Sequence, residues 1–214
     1  MILSTTSVDN VNRQPALAEE RLDIRVVKTD IEPVLIIETD FFRDERGFLI
    51  ESYQKKNYLA NGINYEFVMD IHSRSAQGVL RGFHFQDGSA PMAKLVRCTV
   101  GAILDVALDL RVGSPTFGKT VSVELTAENK TQLVIPPDFG HAFYTLSDVA
   151  EVQYKISNYY TPQAEGTISW NDPEVGFAWP NREPLLSRRD QNGQSLAAYR
   201  ERPAFVYPPY GGAR

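Results

Sequence analysis

The sequence predicts an all-β fold, a sandwich or barrel of jelly-roll type. Three observations predict it. Eight or more short apolar runs recur along the chain, several of them alternating with period two. Gly, Pro, Asn and Asp separate these runs at short intervals, and few stretches offer a helix. A sandwich of this kind encloses a cavity between its sheets.

Residues 1–22 are polar and aperiodic and read as an extension, with the fold starting near Leu22. Residues 23–214 are expected to form one domain, because a chain that is 43% hydrophobic over 214 residues supplies one substantial core. A strand is expected at 34–37 behind Pro33. A charged turn follows at 41–47, a strand at 48–53 and a short helix at 54–62. Phe67, Met69, Ile71 and Ser73 alternate with Val68, Asp70 and His72, so His72 falls on the face away from Met69 and Ile71. Strands are expected at 79–86 and 94–99, then a break at Val100-Gly101-Ala102. The next run, 103–110, places Asp105 and Asp109 on one side and Leu104, Val106, Leu108 and Leu110 on the other. That pattern predicts a half-buried strand joined to 94–99 as a hairpin. Further strands are expected at 120–125, 132–135, 141–146 and 151–158, with a turn at 136–138 because proline cannot donate to a ladder. Tyr154 shares its face with Val152 and Ile156 and so points inward. From Trp170 the chain is irregular, with one helix near 193–200.

Composition excludes several classes. The net charge is −5 and no basic patch stands out, which argues against nucleic acid as a partner. No apolar run approaches the roughly 18 residues of a membrane span. The first residues lack a basic stretch followed by an apolar one and do not read as a signal peptide. The single cysteine, Cys98, permits no intrachain disulfide and suits a reducing cytoplasm. There is no phosphate-binding glycine loop and no G-x-S-x-G. The three histidines, His72, His84 and His141, lack ligand-type spacing, so a metal could be held only by long-range convergence. No metal site is therefore expected.

Acid–base chemistry remains. A neutral histidine is the natural base near pH 7, a tyrosine can return a proton, and a carboxylate can orient the imidazole. A lysine or a second histidine can stabilise an enolate oxygen. His84, Lys94, His141 and Tyr154 all lie on or beside expected strands and could line one cavity. Strict alternation sends Arg81 to the face opposite His84, so a shared site requires a bulge or strong twist at Gly82. The bland alternatives are a core tyrosine at 154, an exposed ion pair of Arg46 with Glu51, and an Asp105 that does no more than cap a polar sheet face.

The chain also resembles the nucleotide-sugar epimerases typified by dTDP-4-dehydrorhamnose 3,5-epimerase. The phrases DERGFLIESY, SAQGVLRGFHFQ, AKLVRCTVGAILDVALDLRVGSPTFG, AENKTQLVIPPDFGHAFYTLS, YKISNYYTPQAEGTISWND and FAWP carry the resemblance, in the family's order. It implies a cupin-like jelly roll, usually a homodimer, with no metal and no organic cofactor. It implies His84 as base, Tyr154 as acid and Asp190 as the partner of His84, with Asp172 the lesser candidate. Lys94 and His141 would lie near the C4 carbonyl oxygen. Arg46, Glu51, Arg81, Glu165 and Arg189 would hold the nucleotide-sugar, and Tyr160 would stack on the base. The segment 46–51 would reach the partner's site in the dimer. The family usually has FVQDN where this chain has FVMDI, so Met69 and Ile71 replace two hydrogen-bonding residues on the inward face. The expectation is an altered substrate: a different nucleotide (CDP or GDP), a different 4-keto sugar, or inversion at one centre only. A non-catalytic sugar-binding protein of the same fold and a metal-dependent enzyme are the alternatives from other classes.

Overall fold

The computed structural model describes residues 22–208. The expected extension at 1–22 thus lies outside the described residues, apart from Leu22. In chain order the strands are β1 (Ile24–Lys28), β2 (Leu35–Thr39), β3 (Phe41–Asp44), β4 (Gly47–Ile50), β5 (Met69–Ala76), β6 (Leu80–Gln86), β7 (Lys94–Val100), β8 (Ala102–Asp109), β9 (Arg111–Val112), β10 (Thr120–Thr126), β11 (Gln132–Ile135), β12 (Phe139–Thr145), β13 (Val149–Ile156), β14 (Glu165–Thr167) and β15 (Phe205–Val206). Three short helices join them: α1 (Lys55–Ala60), α2 (Arg188–Gln191) and α3 (Leu196–Glu201).

Two antiparallel sheets face each other. One has six strands in the order β1-β2-β11-β7-β13-β5, the other five in the order β10-β8-β12-β6-β14. Their facing rows form the central core, from Val96 and Cys98 on β7 through Ile103 and Ala107 on β8 to Phe143 on β12 and Val152 on β13. Each large aliphatic or aromatic side chain buried there contributes about 1.5–3 kcal/mol. The outer face of the five-stranded sheet is covered by the C-terminal segment, where Phe83, Val106 and Leu108 meet Ile168, Leu196, Tyr199 and Trp179. The outer face of the six-stranded sheet is partly covered by α1 and its flanks through Tyr58 and Ile63.

Three expectations are corrected. β7 and β8 do not form a hairpin: β7 pairs with β11 and β13, β8 with β10 and β12. Gly101, at φ +72°, turns the chain from one sheet to the other, and a Cβ there would lie 2.1 Å from the Val149 carbonyl oxygen. The turn is tied to the second sheet's loops, with Ala127 N–H donating to the Gly101 carbonyl and Ala102 N–H to Ser147 Oγ, both at 2.9 Å. Nor is β8 half-buried. Its alternation is as read, but the leucine row packs under the C-terminal segment and the aspartate row faces the inter-sheet core. Sequence period reports which residues share a face, not whether water covers it. Finally, 41–47 is a strand and a turn rather than a turn alone. β3 pairs with β4 in an exposed hairpin, and β4 ends at Ile50 rather than 53.

Candidate active site

β6 carries the first part of the site. His84 lies directly across from His141 on β12, whereas Arg81 lies across from Phe143, so β6 spends one more residue than β12 over this interval. The extra residue is taken up at Gly82, whose φ is +123°. A Cβ there would lie 2.4 Å from the His141 carbonyl oxygen, so the position requires glycine. The bulge that a shared site demanded is present, and Arg81 and His84 both follow β12 residues that face inward. Phe83 and Phe85 turn outward into the C-terminal cluster and anchor the strand.

The C-terminal segment delivers a carboxylate to His84. Asp190 on α2 is buried, and its Oδ1 lies 2.5 Å from His84 Nε2. Gly82 N–H donates to the same oxygen at 3.1 Å, and Ser187 Oγ–H donates to Oδ2 at 2.6 Å. Ser187 also caps α2 by accepting from Asp190 N–H. Burial alone would raise the Asp190 pKa, but the hydrogen bonds from His84, Ser187 and Gly82 hold it down to about 2. Burial pushes the His84 imidazole down to about 4, against the pull of Asp190. An ionised carboxylate accepts only, so His84 donates from Nε2 and keeps Nδ1 as a free base.

Beyond His84 lies a second cluster. His141 Nε2 is 2.7 Å from Asp105 Oδ1, and its Nδ1 is 3.5 Å from Lys94 Nζ. Lys94 also approaches the His84 carbonyl oxygen at 3.4 Å. Burial lowers the Lys94 ammonium to about 8, with Asp105 and Glu165 opposing that shift and Arg189 adding to it. Burial and Lys94 likewise lower His141, against Asp105. Tyr154 on β13 meets the His141 ring edge-on, with centroids 6.3 Å apart. Burial raises its phenol above the ordinary value, opposed by Arg81 and Arg189, so it is a neutral donor near pH 7.

The remaining candidates divide. Ile71 lies directly across from Tyr154 and Met69 across from Ile156, so both line the inward face of β5. Arg81 Nε donates to Ser75 Oγ at 3.2 Å. Arg189 pairs with Glu165 at 2.5 Å and donates to Thr167 Oγ1, placing both at the β14 edge near His84. Tyr160 stands half exposed in the loop before β14. Arg46 and Glu51 are not brought to this cluster and do not pair with each other; they lie on and just after the β3–β4 hairpin, bound to Asp44 and Gln54. His72 faces outward against Glu151. Asp172 is not the partner of His84; it accepts from the backbone N–H groups of Glu174 and Leu196. Reasoning from the sequence missed Asp105, Ser187 and the Gly82 N–H. Asp105 offered a signal, an acid flanked by apolar residues in a strand whose other charged residue is Asp109 at its end, but nothing in the sequence pairs it with His141.

Comparison with known proteins gives a consistent picture. A family profile described as dTDP-4-dehydrorhamnose 3,5-epimerase matches residues 28–198. The chain is 51% identical to a dTDP-4-dehydrorhamnose 3,5-epimerase of Shigella flexneri over 81% of its own length and 96% of that protein's. It is 36% identical to a dTDP-4-dehydrorhamnose 3-epimerase of Streptomyces niveus, over 87% and 90%. A crystal structure of a dTDP-6-deoxy-D-glucose-3,5-epimerase from Legionella pneumophila, in complex with dTDP-4-keto-L-rhamnose, superposes with a TM-score of 0.78 at 43% identity, covering 81% of this chain and 93% of that one.

Proposed function

The chain belongs to the dTDP-4-dehydrorhamnose 3,5-epimerase family, and from that premise we propose that it inverts C3, C5 or both in a dTDP-linked 4-keto-6-deoxy hexose. The observation that carries the reading is the His84–Asp190 pair, with Lys94 reaching both the His84 carbonyl oxygen and His141, and Tyr154 against the His141 ring. Protons on C3 and C5 are each alpha to the ketone and are acidified by it. His84 Nδ1 removes one, and Asp190 stabilises the imidazolium that forms. The enolate oxygen is held by the Lys94 ammonium with His141 beside it. Tyr154 returns a proton from the opposite face, which inverts the centre. The ketone is itself the electron sink, so the scheme calls on no metal and no organic cofactor. Arg81, Arg189 and Glu165 take the nucleotide-sugar, and Tyr160 stacks on the base. The protein acts in the cytoplasm as a homodimer, in which the β3–β4 hairpin brings Arg46 and Glu51 to the second copy's site.

Met69 and Ile71 favour a second, narrower reading. They place an apolar wall across from Tyr154, on the acid's side of the cavity, and a wall without donors relaxes discrimination among hydroxyls. One experiment addresses both. In deuterated water with dTDP-4-keto-6-deoxyglucose, proton NMR should show exchange at C3 and C5, and His84→Ala should reduce it by about 10²–10⁴-fold or more. Exchange at one carbon only would establish single-centre epimerisation. Exchange with CDP- or GDP-linked keto sugars alone would move the nucleotide assignment. No exchange with any of them would overturn the enzyme reading in favour of a sugar-binding protein.

A further inference from the structure

We propose that Asp105 is a positioning residue for the reaction: acting through His141, it holds Lys94 as a charged ammonium at the place where the enolate oxygen develops. This rests on the reading of the site given above.

Packing does not account for Asp105. The residue is fully buried on the inward row of β8, between Ile103 and Ala107, with Val123 and Phe143 directly across on the neighbouring strands. A hydrophobic side chain would complete that cluster without the desolvation cost of a carboxylate, which amounts to several kcal/mol. One carboxylate oxygen, Oδ1, meets His141 Nε2 at 2.7 Å. The other, Oδ2, is buried with no hydrogen-bond partner among the described residues. Asp105 therefore has a single hydrogen-bond donor among the described residues, the His141 imidazole.

That contact decides what the far side of the ring can do. The carboxylate accepts, so His141 donates from Nε2 and turns the Nδ1 lone pair toward Lys94 Nζ, 3.5 Å away. A ring with the opposite tautomer would point an N–H at the ammonium and repel it. The charge itself also acts on Lys94. The groups around the ammonium are Asp105 on β8, His141 on β12, His84 on β6, Tyr154 on β13, Glu165 on β14 and Arg189 on α2. Of these, Asp105 and Glu165 favour the charged form, and Glu165 is itself paired with Arg189. Asp105 is thus the unshared anion that opposes desolvation of Lys94.

The variant Asp105→Asn keeps the shape and an oxygen that can accept from His141 but removes the charge. Two readouts decide the matter. The first uses no substrate: ¹³C-lysine NMR of the full chain, with the Lys94 signal assigned by Lys94→Met. The Lys94 titration midpoint should fall in Asp105→Asn by about one pH unit or more. The second is the pH profile of solvent exchange at the substrate carbons. Its alkaline limb should move down with the Lys94 midpoint, and kcat near pH 8 should fall roughly fivefold or more while dTDP affinity stays within about twofold. A merely structural Asp105 would lower thermal stability and leave both the midpoint and the limb in place, which overturns the proposal. If the variant fails to fold, ¹⁵N-histidine NMR of the unaltered protein reads the His141 tautomer. Protonation at Nδ1 rather than Nε2 also overturns it. The lysine and histidine titrations stand even if the sugar substrate proves wrong, so the two failures are distinguishable.

Discussion

His84 and Lys94 lie side by side and partly buried, yet the chemistry needs the first neutral and the second charged. Burial disfavours charge on both, to about 4 for the imidazole and about 8 for the ammonium. Between these values each group is in its working state. Activity should therefore be flat through the neutral range and fall as pH rises through about 8, measured as kcat for solvent exchange. Asp190→Asn tests the pair directly. The amide can donate to Nε2, which would protonate the ring at Nδ1, the atom needed as base. Loss of about 10³–10⁴-fold in kcat with dTDP binding retained is the expected result. The same two groups set an acid limit on stability. A histidine whose folded pKa lies below its unfolded value of 6.5 stabilises the fold above 6.5, and that contribution is lost as pH falls toward 4. Asp190, depressed from 3.8 to about 2, contributes above 3.8 and is lost below it. Urea midpoints should thus decline in two stages on acidification, and Asp190→Asn should reduce the lower one, the rest of which comes from other paired carboxylates such as Asp109. These residues were legible as types in the sequence. Their pairing was not, because His84 and Asp190 are 106 residues apart and His141 and Asp105 are 36 apart. Asp190 was reached through family resemblance, and Asp105 was set aside as a polar cap.

Within β6, the bulge at Gly82 determines the site more than any single functional side chain does. Without it, Arg81 and His84 would look out of opposite faces, and the Gly82 N–H would not reach Asp190. Gly82→Ala should destabilise the fold by about 3 kcal/mol or more, through positive φ and collision with β12, in denaturant titration. A variant that folds should also lose the His84–Asp190 contact, visible as a further fall in the histidine's NMR titration midpoint, because Asp190 is what holds it up against burial. Period two found most of the strands, and 132–135 agrees with β11 to the residue. It failed where a neighbour had to be chosen. Gly101 reads as a hairpin turn in one dimension, but each of β7 and β8 is already flanked on both sides by strands distant in sequence. β9, β14 and β15 were not foreseen at all; at two or three residues they are too short to show a period.

At the scale of the whole molecule, two segments outside the facing sheets complete what the sheets begin. The first is the β3–β4 hairpin, whose Phe48 and Leu49 stand in the open. If it completes a second copy's site, Arg46→Ala and His84→Ala should each be inactive alone and restore about one quarter of normal activity when co-refolded in equal amounts, since half the dimers would be mixed and each mixed dimer would hold one intact site. Recovery at the level of the separate variants would place Arg46 in its own subunit's site. The second is the C-terminal segment. Its tryptophan and tyrosine cover the five-stranded sheet, Tyr199 donates to the Leu110 carbonyl at 2.9 Å, and it carries Asp190 to the histidine. The sequence marked this segment as irregular, and irregular it is, since it takes its shape from the sheet beneath it. Timing during synthesis follows from this arrangement. The histidine leaves the ribosome more than a hundred residues ahead of its carboxylate, so both sheets can assemble around an imidazole that has no partner. A nascent chain arrested short of residue 190 would be folded in large part and chemically silent. Competence arrives with the segment that bears the carboxylate, in the same step that seals the outer sheet.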